Sequence, residues 1–388
     1  MKVLMINTVC GIRSTGRICT DLAAALEAEG HEVRIAYGRE DVPEQFTKYA
    51  VRIGSDSDVK LHGVRARLFD GCGSGSRKAT ARFIEWVKSY DPDVIHLHNL
   101  HGYYLNLEVL FDYLRDCGKR VIWTLHDCWA FTGHSAFCDA VDCVLWKTGC
   151  HDCPLKKEYP ASFIDRSRIN WQRKKGILTG VPDMTLITPS KWLAGLAKES
   201  FLAGYSVKVI NNGIDTTQFY PIESDFKESY GIADKKMLLG VTTAWSDMKG
   251  YSDFLKLADM IDDRYRIVMV GLTKKQLTTL PEKIIGIERT NNLQELAAIY
   301  TASDALLNLS YCENYPTVSL EARSCGTPVI SYDAGGSAET LGEEGILVRK
   351  GDLESIVKAA EEINSVNVLG KITDKTQTSE QYVNEYER

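Results

Sequence analysis

Short apolar segments alternate with amphipathic segments along most of the chain. The first apolar segment is KVLMIN, the amphipathic segment ICTDLAAALEAEG follows a glycine-bearing turn, GIRSTGR, and EVRIAYG is the second apolar segment. An order of strand, helix and strand predicts a crossover unit in a parallel sheet. The alternation continues in the predicted strands DVIHLHN, RVIWTLHD and TLITPS and in predicted helices at 78–90, LEVLFDYLRDCG and KWLAGLAKES.

A second set of alternating segments begins after a polar, loop-rich stretch at 216–235. Its predicted elements are, in chain order, KMLLGVTT, GYSDFLKLADMI, YRIVMVG, LQELAAIYTAS, ALLNLS, PTVSLEARSCG, TPVISYD and LESIVKAAEEIN. The fold class predicted is therefore α/β, with two doubly wound domains at 1–215 and 216–370. Such domains bind ligands at the carboxyl ends of their strands, so we expect a central cleft there. The polar, weakly helical residues 371–388 could pack back on the first domain.

The composition narrows the classes of protein. The chain is 44% hydrophobic and 25% charged with a net charge of -6, which is typical of a soluble globular protein and disfavours a nucleic-acid partner. No apolar run approaches the ~20 residues of a membrane span. The start, MKVLMINTVCG, resembles a first strand and not a signal peptide. The 11 cysteines are therefore expected to be reduced thiols or metal ligands in a cytoplasmic protein.

The segment ENYPTVSLE carries the most specific chemical signal. Glu313 follows a predicted strand, and Pro316 suits the start of the helix that contains Glu321. The backbone N–H groups of Thr317 and Val318 would lie at the helix start, where they form an anion site suited to a diphosphate. The two carboxylates would accept hydrogen bonds from sugar hydroxyls. The alternative is that two glutamates eight residues apart are ordinary surface residues.

These residues resemble a known signature. The pattern Glu-x7-Glu, followed by ARSCGTPVISYDAGGSAE, is similar to the donor-binding signature of the retaining glycosyltransferases of family 4, which have the GT-B fold of two Rossmann-like domains. Further motifs of the family occur in the same order along the chain, namely GHEV, PDVIHLHN, TLHD, TPSKW, VINNGID and MKG. The stretch HDCWAFTGH and its cysteine-rich tail resemble enzymes of bacterial colanic-acid and capsule-type polysaccharide assembly.

The resemblance implies a role for each matching residue. Glu313 would contact the donor sugar, Glu321 the ribose and Lys249 the diphosphate, and His126 would lie near the transferred sugar and the acceptor. The donor site would lie mainly in the second domain and the acceptor site in the first. Lys249 could instead be a surface residue at a helix start, and His126 a structural histidine.

One position departs from the family pattern. The segment GVTTAWSDMKG places Ala244 where the family has an arginine that helps to hold the diphosphate. We therefore predict that Arg17, or failing that Arg13, supplies the second cation from the turn GIRSTGR, across the cleft. The alternative is that both arginines are solvated. The resemblance also implies that Gly11 and Gly16 let the backbone approach the diphosphate or acceptor, although both could be turn glycines only.

Two further segments have two interpretations each. Cys138, Cys143, Cys150 and Cys153 form C-x4-C-x6-C-x2-C, a candidate structural zinc site, or are reduced thiols in a loop. The basic segment 156–175, with its interleaved aromatic residues, is either a solvated helix face or a contact with anionic lipid or a lipid-diphosphate acceptor. By resemblance, no divalent metal or other cofactor is required for the chemistry.

The function predicted is that of a retaining glycosyltransferase in bacterial surface polysaccharide biosynthesis. It would move a sugar from a UDP- or GDP-linked donor to a saccharide or lipid-linked saccharide, in the cytoplasm or peripherally at the inner face of the membrane. The alternatives are a nucleotide-sugar epimerase or sugar phosphorylase of the same fold, and a non-catalytic sugar-nucleotide-binding scaffold. A dehydrogenase is disfavoured because GIRSTGR does not give G-x-G-x-x-G.

Overall fold

The computed structural model describes residues 1–363 and 372–388, which divide into two compact units. The first comprises Met1–Asn211 and Thr376–Arg388, and the second comprises Asn212–Lys375. The division thus falls just before the predicted boundary at residue 215. The predicted end of the second domain, at residue 370, and the first residue of the predicted C-terminal segment lie outside the described residues.

The first unit contains a seven-stranded sheet with the order β3-β2-β1-β4-β5-β6-β7. Every neighbouring pair is parallel, as the alternation of strands and helices predicts. Its strands are β1 (Lys2–Asn7), β2 (Glu32–Tyr37), β3 (Ala50–Arg52), β4 (Val94–Leu97), β5 (Arg120–Thr124), β6 (Met184–Thr188) and β7 (Ser206–Val209). The helices that precede β7 are α1 (Arg13–Ala28), α2 (Asp56–Phe69), α3 (Arg77–Tyr90), α4 (Leu107–Asp116), α5 (Ser167–Leu178) and α6 (Lys191–Glu199).

Both faces of this sheet are buried. Along β1, Leu4 and Ile6 belong to one hydrophobic cluster, whereas Val3 and Met5 belong to another. Because successive side chains of a strand point to opposite faces, helices must cover both sides of the sheet. This explains why the strands are continuous apolar runs in the sequence.

The second unit repeats this architecture with six parallel strands in the order β10-β9-β8-β11-β12-β13. The strands are β8 (Lys236–Val241), β9 (Tyr265–Val270), β10 (Ile284–Ile287), β11 (Ala305–Asn308), β12 (Val329–Tyr332) and β13 (Ile346–Val348). The helices are α7 (Phe226–Ser229), α8 (Tyr251–Met260), α9 (Lys274–Leu277), α10 (Leu293–Ala302), α11 (Thr317–Ser324) and α12 (Leu353–Glu362).

The last helix, α13 (Lys375–Tyr386), packs into the first unit. Tyr382 and Tyr386 are buried in the cluster that contains Val3 and Met5. The hydroxyl of Tyr386 lies 2.6 Å from Nδ1 of His96 on β4, and that of Tyr382 lies 3.1 Å from the hydroxyl of Thr124 on β5. The polar C-terminal segment is therefore held by a small number of aromatic residues.

Local sequence explains where several helices begin. The side chains of Ser55 and Asp58 form a reciprocal capping box at the start of α2, and Asn106 and Ser190 cap α4 and α6. None of the helices in residues 1–363 and 372–388 is long and apolar enough to cross a membrane.

Two predictions about local structure were wrong. The turn GIRSTGR is shorter than predicted, because α1 begins at Arg13 and Gly16 lies in its first turn. The segment 156–175 is helical only from Ser167, and it is not a solvated helix face throughout. Trp171 and Lys174 are buried there, and Nζ of Lys174 donates to the carbonyl oxygen of Trp129 at 2.6 Å. Hydrogen bonds to distant carbonyl groups thus allow a basic residue to be buried.

Candidate functional site

Each sheet has a switch point where the strand order reverses, between β1 and β4 in the first unit and between β8 and β11 in the second. In open parallel sheets, ligands bind outside the carboxyl ends of the strands at this point. The residues that follow these strands, and the strands next to them, are therefore the candidates for chemistry in each unit.

In the second unit, Lys249 and Glu313 form an ion pair. Nζ of Lys249 lies 2.6 Å from Oε1 of Glu313. Lys249 follows β8, and Glu313 lies on the loop between β11 and α11. Burial disfavours the charge on Lys249, but the carboxylate of Glu313 outweighs that effect and raises the pKa of the lysine. The structure thus brings together two residues that lie 64 positions apart in the sequence.

The glycine after Lys249 makes this approach possible. Gly250 has a φ of 77°, and a Cβ atom built on it would lie 2.4 Å from the carbonyl oxygen of Leu309. Any other residue would both strain the backbone and push the segment away from the end of β11. The glycine of the MKG motif is therefore required for close packing against Leu309, and this packing sets the position of Lys249.

Helix α11 places the other predicted donor residues. Pro316 is the cap residue, and Thr317 and Val318 are the first two residues of the helix, whose N–H groups have no partner within the helix. Glu321 lies in the second turn, and the hydroxyl of Tyr300 on α10 donates to its Oε2 at 2.9 Å. The N–H of Gly336 donates to the carbonyl oxygen of Glu313 at 3.0 Å, which ties the loop after β12 to this site.

The surroundings of α11 contain polar atoms without partners. The side chains of Asn308, Ser319 and Ser337 each have a buried polar atom that makes no hydrogen bond within the described part of the chain. Asn308 ends β11, Ser319 lies in the first turn of α11, and Ser337 follows Gly336. Buried groups of this kind are rare in folded proteins and often mark functional sites. These three residues were not predicted as site residues from the sequence.

In the first unit, His126 belongs to a group of histidines. It follows β5, and its Nε2 lies 3.0 Å from Nδ1 of His98, which follows the neighbouring strand β4. The two imidazole rings are stacked, with centroids 5.3 Å apart. Burial lowers the pKa of His126 to about 4, and burial together with the neighbouring histidines lowers the pKa of His98 well below its ordinary value. Both imidazoles are therefore neutral at pH 7.

A second pair lies beside this group. Nε2 of His101 lies 2.8 Å from Oδ2 of Asp127, and its Nδ1 lies 2.9 Å from the hydroxyl of Tyr159. Burial would raise the pKa of Asp127, but His101 and the N–H of Trp129 lower it overall. His98 and His101 were not predicted from the sequence. The available signal was the HLHNLH segment, which begins in β4, the strand next to β5, and continues into the loop after it.

The predicted residues on α1 are not equivalent. Arg17 is exposed, and its side chain makes no hydrogen bond or ion pair within the described residues. Arg13 is held by Glu40, with Nη2 2.8 Å from Oε1. The N–H of Gly11 donates to the carbonyl oxygen of Gly16 at 3.1 Å, and a Cβ atom on Gly16 would lie 3.1 Å from Cγ2 of Val9. The role of Arg17 in donor binding stays a prediction.

A structural zinc at the four cysteines stays a prediction. In residues 1–363 and 372–388, no three side chains of His, Cys, Asp or Glu are grouped so that they could hold a metal ion. Cys138 and Cys150 are buried in the hydrophobic core of the first unit. Burial raises the pKa of Cys150 to about 11 and also raises that of Cys153.

Comparison with protein families decides the class of the protein. The family model "Glycosyltransferase Family 4" matches residues 15–218, more than half of the chain, and the model "Glycosyl transferases group 1" matches residues 235–365.

The chain belongs to glycosyltransferase family 4.

Relatives and solved structures agree with this assignment. The chain of this glycosyltransferase is 26% identical over 366 residues to the putative colanic acid biosynthesis glycosyl transferase WcaC of Escherichia coli (strain K12), covering 89% of this chain and 86% of the relative. It is 28% identical over 180 residues to a D-inositol 3-phosphate glycosyltransferase of Rhodococcus erythropolis (strain PR4 / NBRC 100887), covering 39% of this chain and 41% of that one.

Solved structures share the fold over the whole chain. Sucrose-phosphate synthase from Thermosynechococcus elongatus superposes with a TM-score of 0.74 at 17% identity, covering 100% of this chain and 98% of that chain. Anabaena HepE in complex with UDP superposes with a TM-score of 0.68 at 16% identity, covering 99% of both. The predicted GT-B class, the family and the enzyme class are confirmed. The roles of the individual residues stay predictions.

Proposed function

We propose that this glycosyltransferase moves a sugar from a nucleotide-diphosphate sugar to a saccharide or lipid-linked saccharide, with retention of anomeric configuration, during the assembly of a bacterial surface polysaccharide. The ion pair between Lys249 and Glu313, beside the start of α11, carries the proposal. The name of the Escherichia coli relative and the UDP and UDP-glucose complexes of Anabaena HepE support the pathway and a UDP-linked donor. A GDP-linked donor is the second candidate.

The second unit supplies what a departing diphosphate requires. Breaking the bond between the anomeric carbon and the phosphate oxygen leaves negative charge on the diphosphate. The ammonium group of Lys249 and the N–H groups at the start of α11 are fixed positive groups that would stabilise this charge. Lys249 is paired with Glu313. Donor binding would exchange that partner for phosphate and leave the carboxylate of Glu313 to a hydroxyl of the sugar.

The ribose would be held by Glu321. Its carboxylate is fixed by the hydroxyl of the buried Tyr300, so it is positioned before the nucleotide binds. Burial and the charge of Glu321 raise the pKa of Tyr300 well above its ordinary value. The phenol therefore stays protonated and remains a hydrogen-bond donor to Glu321 throughout the working pH range.

His126 would act in its neutral form. Its low pKa means that it can hydrogen-bond to a hydroxyl of the transferred sugar without carrying a charge. In the proposed reaction, the acceptor oxygen forms a bond to the anomeric carbon as the bond from that carbon to the phosphate oxygen breaks. An oxygen of the leaving phosphate takes the proton of the acceptor hydroxyl. The new bond forms on the face from which the diphosphate departs, so the configuration is retained. No protein base is needed for this step.

The proposed acceptor determines where in the cell the enzyme would act. A lipid-linked saccharide would require the enzyme to work in the cytoplasm at the inner face of the membrane. The exposed side chains of Phe163 and Ile164, within the basic segment 156–175, support such a contact.

The test is a donor screen followed by transfer. Calorimetry with UDP, GDP and dTDP identifies the nucleotide, and the matching labelled sugars are then offered with and without a saccharide acceptor. We expect labelled product only when acceptor is present, and we expect Lys249→Ala, but not the exposed Lys275→Ala on α9, to lose nucleotide binding. Conversion of the donor sugar without any acceptor would favour an epimerase and reject transfer.

A further inference from the structure

A groove of the first unit lies on the side of α2 and α5. It encloses about 830 Å³ and is bordered by these helices and by the starts of α3 and α4. Its apolar lining consists of Leu61, Val64, Leu68, Phe69 and Ile169. Its charged lining consists of Arg65, Arg77, Arg166, Arg173, Asp70 and Glu108. Arg166, Ile169 and Arg173 of the groove belong to the basic segment 156–175, whereas the residues proposed for donor binding do not line it.

Helix α2 is turned with apolar side chains outward. Leu61, Val64 and Leu68 lie on one face of the helix by their spacing, and each is between 44% and 72% exposed. The opposite face, with His62 and Ala66, is buried. A surface helix normally shows the reverse arrangement. An exposed apolar surface of this extent marks an interaction site, because it gains free energy when it leaves water.

The apolar surface continues onto α5 and the loop before it. Ile169 and Phe163 are more than half exposed, and Ile164 is also exposed. The guanidinium of Arg67 lies 5.0 Å from the centre of the Phe163 ring. Arginine and large apolar side chains therefore lie next to one another on this surface. A ligand that covers it has to contact positive charge and apolar groups together.

The arginines of the groove are only partly neutralised. Glu108 pairs with Arg77 at 2.8 Å. The carboxylate of Asp70 accepts hydrogen bonds from the N–H of Arg166 and contacts Nδ1 of His134 at 2.6 Å, so it is turned inward. Burial and the positive charges of Arg65, Arg166 and Arg77 lower the pKa of Arg173, against the opposing effect of Glu108. Four arginines and two carboxylates thus leave the groove with an excess of positive charge, which favours an anionic partner.

An anionic phospholipid fits this combination. It presents a phosphate to arginine and acyl chains to leucine, isoleucine and phenylalanine at the same interface. The chain as a whole carries a charge of -6, so attraction to an anionic membrane has to come from a local patch such as this one. An acidic peptide would satisfy the arginines but would leave a broad apolar face without a partner.

We propose that the groove between α2 and α5 docks the first unit on a bilayer that contains anionic phospholipid. Leu61, Val64, Leu68, Phe69 and Ile169 enter the boundary between headgroups and acyl chains, and Arg65, Arg166 and Arg173 contact phosphates. This deepens the membrane contact of the proposed function by naming the surface and the lipid class. It places the loop after β5 near the membrane, because His134 of that loop binds Asp70 in the groove.

The experiment is vesicle sedimentation of the full-length protein. Phosphatidylcholine vesicles with and without phosphatidylglycerol serve as probes, and we expect binding only to those with the anionic lipid. The triple variant Leu61→Gln, Val64→Gln and Leu68→Gln should lower the partition coefficient at least about tenfold, and Arg65→Gln with Arg166→Gln should do the same. A matched triple of exposed residues in the second unit, Met260→Gln, Leu293→Gln and Leu347→Gln, should bind like the wild type.

Three outcomes overturn the proposal. They are equal vesicle binding by the wild type and both groove variants, absence of binding to anionic vesicles, and capture of a soluble acidic peptide by the groove in place of vesicles. Nucleotide binding in the second unit and the thermal unfolding midpoint of the whole chain should both be unchanged in the triple groove variant, which together show that the variant is folded. Failure of nucleotide binding in the wild type would count against the proposed function and not against this surface.

Discussion

Lys249 and Glu313 neutralise each other across 2.6 Å although the proposed reaction requires each of them for a different part of the donor. The carboxylate of Glu313 favours the charged form of Lys249, whose side chain is 37% exposed. It also fixes the loop after β11 on the segment that follows β8. In the proposed reaction, donor binding would be an exchange of partners, and the strength of the existing pair would limit the net gain.

The first prediction separates the two members of this pair. Lys249→Ala should weaken binding of the nucleotide diphosphate by about 1.5–3 kcal/mol, because a charged hydrogen bond is lost. Glu313→Gln should leave nucleotide affinity near the wild-type value, since it removes a competitor of the phosphate, but it should lower turnover. Calorimetry and the transfer rate at saturating donor measure the two effects. Equal losses of affinity in both variants would contradict the exchange of partners.

The second prediction concerns the ribose. If Glu321 binds the ribose hydroxyls, wild-type protein should prefer UDP to 2′-deoxy-UDP, and this preference should shrink in Glu321→Gln. Tyr300→Phe should weaken UDP binding by about 1 kcal/mol through the lost hydrogen bond to Glu321. The measurement is calorimetry with both nucleotides. Lys275→Ala on α9, at an exposed position, is the control. An unchanged preference in Glu321→Gln would rule out the ribose contact.

The third prediction is a dependence of stability on pH. Burial lowers the pKa of His62 to about 4 and that of His96 to about 3. Between these values and about 6.5, the unfolded chain binds more protons than the folded chain, so the free energy of unfolding falls as the pH is lowered through this window. Each histidine contributes a slope of up to about 1.4 kcal/mol per pH unit.

Urea unfolding at a series of pH values between 7 and 5 tests this. His96→Gln should flatten the pH dependence of the free energy of unfolding, whereas His151→Gln, at an exposed position, should not.

The same reasoning applies to activity. Since the pKa of His126 is about 4, the transfer rate should show no loss from protonation of this residue above about pH 5. A wild-type stability that does not change from pH 7 to 5 would contradict the assignment of neutral buried histidines.

The sequence predicted the alternation of strands and helices well because the central strands are buried on both faces and therefore appear as apolar runs. The segment ENYPTVSLE was equally informative, since strand end, helix start and both glutamates lie within nine residues. The histidine group was not predictable in this way. His98 and His126 are in contact only because β4 and β5 are neighbours in the sheet. The order of strands in a sheet cannot be predicted from the sequence of each strand alone.

Two other features were hidden for related reasons. Helix α2 was not predicted because its large apolar residues face outward and only small or polar residues face the core. Its sequence therefore lacks the regular spacing of apolar core residues that predicts a surface helix. Lys174 looked like part of a solvated basic segment, but the carbonyl oxygens of Trp129 and Thr132 hold it in the interior. Residues that lie more than 40 positions away determine its burial, and the basic composition of its own segment suggested the opposite.

The last prediction concerns the second cation of the donor site. Ala244 stands where the family has an arginine, and a diphosphate that loses its sugar requires more positive charge than Lys249 alone supplies. Arg17 is the stronger candidate, because its guanidinium has no partner within the described residues, whereas Arg13 is already paired with Glu40. Arg17→Ala should therefore lower turnover more than nucleotide affinity, because the contact matters most when charge develops.

Arg13→Ala provides the matched control from the same turn of α1. It removes an exposed ion pair, which contributes at most about 1 kcal/mol to stability, and its turnover should stay near the wild-type value. Steady-state kinetics on the two single variants and the double variant measure these effects. If the double variant keeps wild-type turnover, the second cation does not come from α1, and Lys249 acts with the N–H groups of α11 alone. If Arg13→Ala and Arg17→Ala lose turnover equally, both guanidinium groups contribute to the reaction, and Arg13 does so through donors that the ion pair with Glu40 does not use.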